Sequence, residues 1–81
     1  LSNNINLEDY RVYPSPATNF LHIETDGVFT VSIYNLYGKM VLSNSGHNKL
    51  DLNVEGLTKG VYFYNITKNK NSLSRGKVII K

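Results

Sequence analysis

Eighty-one residues carrying a formal charge of +3, with 41% apolar content and no cysteine, make one small domain held by its core alone. That composition argues against disorder throughout, and the missing cysteine excludes disulfides, a thiol nucleophile and a thiolate metal site. The charge is uneven: residues 1–55 hold six carboxylates against three cations and sum to −3, whereas residues 56–81 hold six cations and no acidic side chain and sum to +6.

The chain opens on Leu1 with a polar, asparagine-rich stretch, read as a lead-in over residues 1–9. It has neither a basic-then-apolar leader nor an apolar run approaching ~20 residues, so no signal peptide or membrane span is expected and the chain is read as a fragment of a larger protein. From there, apolar or alternating segments recur about every 8 to 12 residues between turn residues, the spacing of an antiparallel sandwich rather than of βαβ units.

Strands are expected at Tyr10–Tyr13, Phe20–Glu24, Phe29–Asn35, Lys39–Ser43, Lys49–Leu52, Val61–Thr67 and Arg75–Ile80. Pro14 and Pro16 remove two backbone donors and end the first strand in a rigid corner. Leu21 and Ile23 should point inward and leave His22 and Glu24 outside. Phe29, Val31 and Ile33 alternate with polar or aromatic residues and should also face the core. Asp26-Gly27 and Leu36-Tyr37-Gly38-Lys39 supply cheap positive φ for hairpin turns. Ser45-Gly46-His47-Asn48 and Lys68-Asn69-Lys70-Asn71-Ser72 read as polar loops. Gly60 lets the chain turn sharply into Val61–Ile66, which is apolar or aromatic on both faces and reads as a central strand. Seven short strands without a helical stretch predict a seven-stranded antiparallel immunoglobulin-like β-sandwich.

Little in the chain points to chemistry. His22 and His47 are the only histidines, 25 positions apart, and no serine or carboxylate is singled out to complete a triad. Asp26, Asp51 and Glu55 are possible calcium ligands without the spacing of a calcium loop. Asn65-Ile66-Thr67 fits the N-glycosylation pattern but falls within a strand. No catalysis, cofactor or metal is expected. The basic residues are scattered and carry no nucleic-acid motif. They suit lysine-guarded strand edges or an acidic partner. Tyr34, Tyr62 and Tyr64 are most simply core or cross-strand packing, with a sugar-stacking row of exposed rings as the alternative. Lys77-Val78-Ile79-Ile80-Lys81 is either an ordinary last strand with charged flanks or an accessible strand that pairs with a receptor.

Four short motifs stand in order along the chain: Tyr13-Pro14-Ser15-Pro16-Ala17, then Ile33-Tyr34-Asn35-Leu36-Tyr37-Gly38-Lys39, then Leu57-Thr58-Lys59-Gly60-Val61-Tyr62-Phe63-Tyr64, and finally Lys77 to Lys81. Over Val12 to Lys81 this series resembles the type A C-terminal sorting domain of the type IX (Por) secretion system. Ser15 stands where that family usually has asparagine, a substitution that still favours a turn. The resemblance implies a non-catalytic address on a larger cargo protein of a Gram-negative bacterium. Such cargo reaches the periplasm by an amino-terminal signal and is recognised at the outer-membrane translocon and its shuttle. A surface sortase then removes the domain, here within residues 1–9, and the cargo is anchored at the cell surface or released. On this reading residues 10–81 are the sorting domain and Lys77, Val78, Ile79, Ile80 and Lys81 present the signal. Pro14, Pro16, Gly38, Lys39, Leu57, Gly60 and Tyr62 belong to the motifs that hold the shape. A carbohydrate-binding or adhesion module of a secreted enzyme remains the alternative.

Overall fold

The computed structural model describes residues 10–69 and 71–81. Five antiparallel strands run through them: β1 (Tyr10–Tyr13), β2 (Phe20–Tyr34), β3 (Met40–Asn53), β4 (Gly60–Lys68) and β5 (Asn71–Ile80). They form one continuous sheet in the order β1-β2-β4-β5, with β3 paired along β2. No helix occurs among the described residues. The lead-in over residues 1–9 lies outside them.

The all-β, antiparallel expectation holds, but the strands number five instead of seven and hydrogen-bond into a single sheet. The segments expected at Phe20–Glu24 and Phe29–Asn35 are one strand, as are those at Lys39–Ser43 and Lys49–Leu52. Gly27 does take a positive φ of 80°, yet the chain does not reverse there. The register steps from Glu24↔Lys49 to Val28↔His47, so Thr25, Asp26 and Gly27 bulge opposite Asn48 alone. Asn48 is itself at φ 66°, and its Oδ1 accepts the Gly27 N–H at 2.7 Å. A bulge and a hairpin call on the same backbone freedom, which is why Asp26-Gly27 looked like a turn. The expected loop Ser45–Asn48 lies inside β3. Ser45 and Ser43 face Thr30 and Ser32 across the sheet, with hydroxyl contacts of 2.9 and 3.4 Å. A polar strand face and a polar loop have the same composition.

Between Glu24 and Val28, β2 has two residues more than β3. An even insertion preserves side-chain alternation. Leu21, Ile23, Thr25, Phe29, Val31 and Ile33 are therefore all buried on the same side. His22 and Glu24 point the other way and are half-buried. Leu52 and Val54, Tyr62, Tyr64 and Ile66 of β4, Val78 and Ile80 of β5, and Ala17 complete one core. As expected, β4 is central, flanked by β2 and β5.

Two contacts close the sheet around that core. After β1 the proline corner carries the chain to the far edge of the sheet, where Ala17 forms a parallel bridge with Ile80. Near the bulge, the Tyr10 hydroxyl of β1 hydrogen-bonds to Ser74 and Tyr64 on the far strands. Burial, reinforced by Tyr10, pushes the Tyr64 hydroxyl up to about 12. The Tyr64 ring lies over its register partner Gly76, where a Cβ would collide with the ring and hydroxyl.

Candidate functional site

The fold brings the four sequence motifs to one end of the sheet. Ala17 of the first motif donates its N–H to the Ile79 carbonyl (2.8 Å) and accepts the Lys81 N–H (2.7 Å). Ser15 Oγ accepts the Ile79 N–H at 3.4 Å. The third motif pairs with the fourth through Gly60↔Ile80, Val61↔Ile79 and Tyr62↔Val78. The second and third share a hollow lined by Asn35, Leu36 and Tyr37 on one side and by Leu57, Gly60 and Tyr62 on the other.

Each motif has a local physical reason. Asn35 Oδ1 accepts the N–H groups of Tyr37 (2.9 Å) and Lys39 (3.0 Å), and the backbone closes through Gly38 N–H to Asn35 carbonyl at 3.0 Å. Gly38 sits at φ 83°, so the asparagine and the glycine build this turn together. Lys39 contributes its backbone to the turn and leaves its side chain exposed. In the third motif Tyr62 is buried and donates its hydroxyl to the Thr58 carbonyl at 2.7 Å, while Thr58 Oγ1 lies 3.0 Å from the same hydroxyl. A tyrosine at a strand start bonded to backbone just upstream is the tyrosine corner of β-sandwich proteins. Leu57 packs against the core, and its N–H closes a turn onto the Val54 carbonyl at 3.0 Å. Pro14 and Pro16 flank Ser15 in the exposed corner that delivers Ala17 to Ile80.

Lys77–Lys81 is an integral strand end. Val78 and Ile80 are buried, at 1% and 3% exposure, while Lys77, Ile79 and Lys81 face solvent. Two of the five residues of the expected signal are thus core, and the other three are surface. The Ser15 and Ala17 contacts, which cap the outer edge of this segment, were not legible in the sequence because they join positions some 64 residues apart.

A family model for the secretion system C-terminal sorting domain matches residues 11–81. The chain belongs to this family. A beta-agarase D of Zobellia galactanivorans is 33% identical over 73 residues, which cover 90% of this chain and 15% of the agarase. The sorting domain thus spans about 15% of the length of that relative.

The sorting domain has two outer faces of different electrostatic character. On β1 and the first part of β2, Tyr13 donates to Glu24 Oε2 at 2.5 Å, and Arg11 lies 3.8 Å from Glu24 and 5.3 Å above the Tyr13 ring. His22 Nδ1 sits 2.7 Å from Asp51, and its ring neighbours those of Tyr13 and Phe20, with centroids 5.2 and 6.4 Å away. The His22 hydrogen bond, with Lys49 adding charge, holds the Asp51 carboxyl below its ordinary value, and the Glu24 carboxylate raises the Tyr13 hydroxyl above its own. His22 therefore has a partner that sequence reasoning did not supply, 29 residues away. His47 lies in β3 opposite Val28, where a loop was expected. Asp26, Asp51 and Glu55 are not brought together, and no metal-binding group of three or more histidine or acidic side chains forms among the described residues.

The face of β4 and β5 is cationic. Its outward residues include Phe63, Asn65, Arg75, Lys77 and Ile79, and no side-chain carboxylate occurs anywhere in residues 27–50 or 56–81. Arg75 and Lys77 make no salt bridge among the described residues. Together with Tyr34, Phe63 and Asn65 they line a shallow hollow beside the Gly38 turn. Of the expected aromatic packing, Tyr62 and Tyr64 are core, whereas Tyr34 is half-buried on this outer face.

Proposed function

We propose that this domain is the address by which a type IX secretion system moves a larger cargo protein across the outer membrane to the cell surface or medium. The observation that carries the proposal is the convergence of all four motifs at one end of the sheet, within a family defined by C-terminal sorting. Three motifs form that end, and the fourth presents Lys77, Ile79 and Lys81 on it. The reader is the outer-membrane translocon with its shuttle. A surface sortase cuts within residues 1–9, and the parent is a secreted or surface protein of a Gram-negative bacterium. The domain itself is not catalytic. The agarase relative favours a glycan-degrading enzyme as the cargo.

Deleting Lys77–Lys81 is a poor test, because it removes the buried Val78 and Ile80 and unfolds the domain it is meant to silence. Ile79→Thr combined with Lys81→Glu alters only exposed side chains of the same segment. A full-length cargo carrying both changes is expected to accumulate in the periplasm while thermal unfolding of the domain stays unchanged. Undiminished export would remove Ile79 and Lys81 from the signal.

A second reading, as a sugar-binding module, is favoured by one observation. Phe63 is 42% exposed beside Tyr34 and Asn65, the beginnings of a stacking platform. Titration of Phe63→Ala and wild-type domains against a glycan panel tests it, since a platform requires binding that the variant loses.

A further inference from the structure

Seven large apolar side chains are exposed among the described residues, and five of them, Leu36, Tyr37, Met40, Phe63 and Ile79, lie on the cationic face or the turn that borders it. Met40, Tyr34, Phe63 and Lys77 form one cross-strand rung, and Ser43, Ser32, Asn65 and Arg75 form the next. This face is apolar and basic at once, which suits a partner that is apolar and acidic.

The backbone beside it narrows the choice. The N–H and C=O of Ile79 and the N–H of Lys81 are directed away from β4, to Ser15 and Ala17. In an antiparallel strand those directions alternate, so the N–H and C=O of Arg75 and Lys77 lie on the same outer edge. Among the described residues no backbone group pairs with them. Among the described residues the edge is therefore capped from Ile79 onward and open at Arg75–Lys77, with a cation that makes no salt bridge at each open position.

We propose that the Arg75–Lys77 edge of β5 takes an extended acidic segment of a protein partner as an added strand. The sorting reading supplies only the biological use of that contact. An added strand matches both features: its backbone completes the edge ladder, and carboxylates at alternate positions recur every ~6.6–7 Å, the repeat that separates Arg75 from Lys77. Opposite charges facing each other across strands favour that register. The Ser15–Ala17 cap sets where the added strand must stop. A sugar would use the Phe63 ring but leave the edge unpaired. Cations that serve only to deter self-pairing would leave the domain without preference for acidic segments.

The test uses the 81-residue chain and four probes: a capped hexapeptide alternating glutamate and valine, its lysine–valine counterpart, the glutamate peptide N-methylated at alternate amides, and an oligogalacturonate. Binding is followed by calorimetry and by amide chemical shifts. The glutamate peptide is expected to bind best, with shifts centred on residues 74–78. Arg75→Glu with Lys77→Glu should weaken it about tenfold or more and turn the preference toward the lysine peptide. N-methylation should abolish binding. Equal binding of the methylated peptide would show attraction without strand pairing and overturn the proposal. So would tighter binding of oligogalacturonate with shifts at Tyr34 and Phe63, or charge reversal that changes self-association alone. The sorting reading is checked separately by export of a reporter fused to the unaltered domain. Loss of that export with peptide binding intact overturns sorting, and export without peptide binding overturns only the added strand.

Discussion

Around β1 and the first half of β2, Glu24 is met by Tyr13 and Arg11, and Asp51 by His22. Across the molecule, Arg75 and Lys77 stand on the outer face of β5 without an ionic partner among the described residues. Both faces cover the same core and are built from strands of the same sheet. The first uses its charged side chains to tie together positions 11 to 29 residues apart. The second leaves register to backbone pairing and small or aromatic neighbours, so its charge is available for recognition. Charge that is satisfied internally supports the fold, and on the proposed reading the charge left over serves a partner.

If that division is right, the core beneath both faces should respond alike. Ile23→Ala, under the first face, and Ile66→Ala, under the second, each empty a fully buried site and should each cost about 2–5 kcal/mol in urea denaturation. A large cost on one side with almost none on the other would mean that the two halves do not share one core.

The faces should part company in acid. Asp51 has a folded pKa below its ordinary 3.8, so its stabilising contribution is present above that value and is lost as pH falls through the lower, folded one. Asp51→Asn should therefore flatten the decline of stability below pH 3.8, measured by urea unfolding at a series of pH values. Identical profiles for variant and wild type would show that the His22–Asp51 contact is not maintained in solution. The smallest effect is expected on the second face. Arg75→Glu with Lys77→Glu should change stability by no more than about 0.5 kcal/mol, since these side chains are exposed and make no salt bridge among the described residues. A clear destabilisation would make them part of the fold and erase the contrast.

Much of this architecture was legible in the chain. Alternation placed Leu21, Ile23, Phe29, Val31 and Ile33 in the core, because a two-residue period survives an even-numbered bulge. The double-sided Val61–Ile66 segment correctly announced a central strand. The strand count failed at Asp26-Gly27 and Ser45–Asn48, where residues that favour positive φ or hydroxyl pairing serve a bulge and a polar strand face as well as they serve loops. The ordered motifs pointed to the family, but their shared location was hidden. Ala17 reaches Ile80, and Leu36 comes to face Leu57, only because a bent sheet brings distant turns together. The alternation of Lys77–Lys81 was visible too, yet which of its edges stays open depends on Ser15 and Ala17, and no local pattern encodes that.

The most direct measurement fuses residues 1–81 to the carboxy terminus of a periplasmically exported fluorescent reporter, in a host with type IX secretion and in a matched translocon mutant. The sorting account predicts reporter outside the competent host, trimmed of the domain, and reporter held in the periplasm of the mutant. Reporter retained in the periplasm of both hosts, with the domain folded, would contradict it.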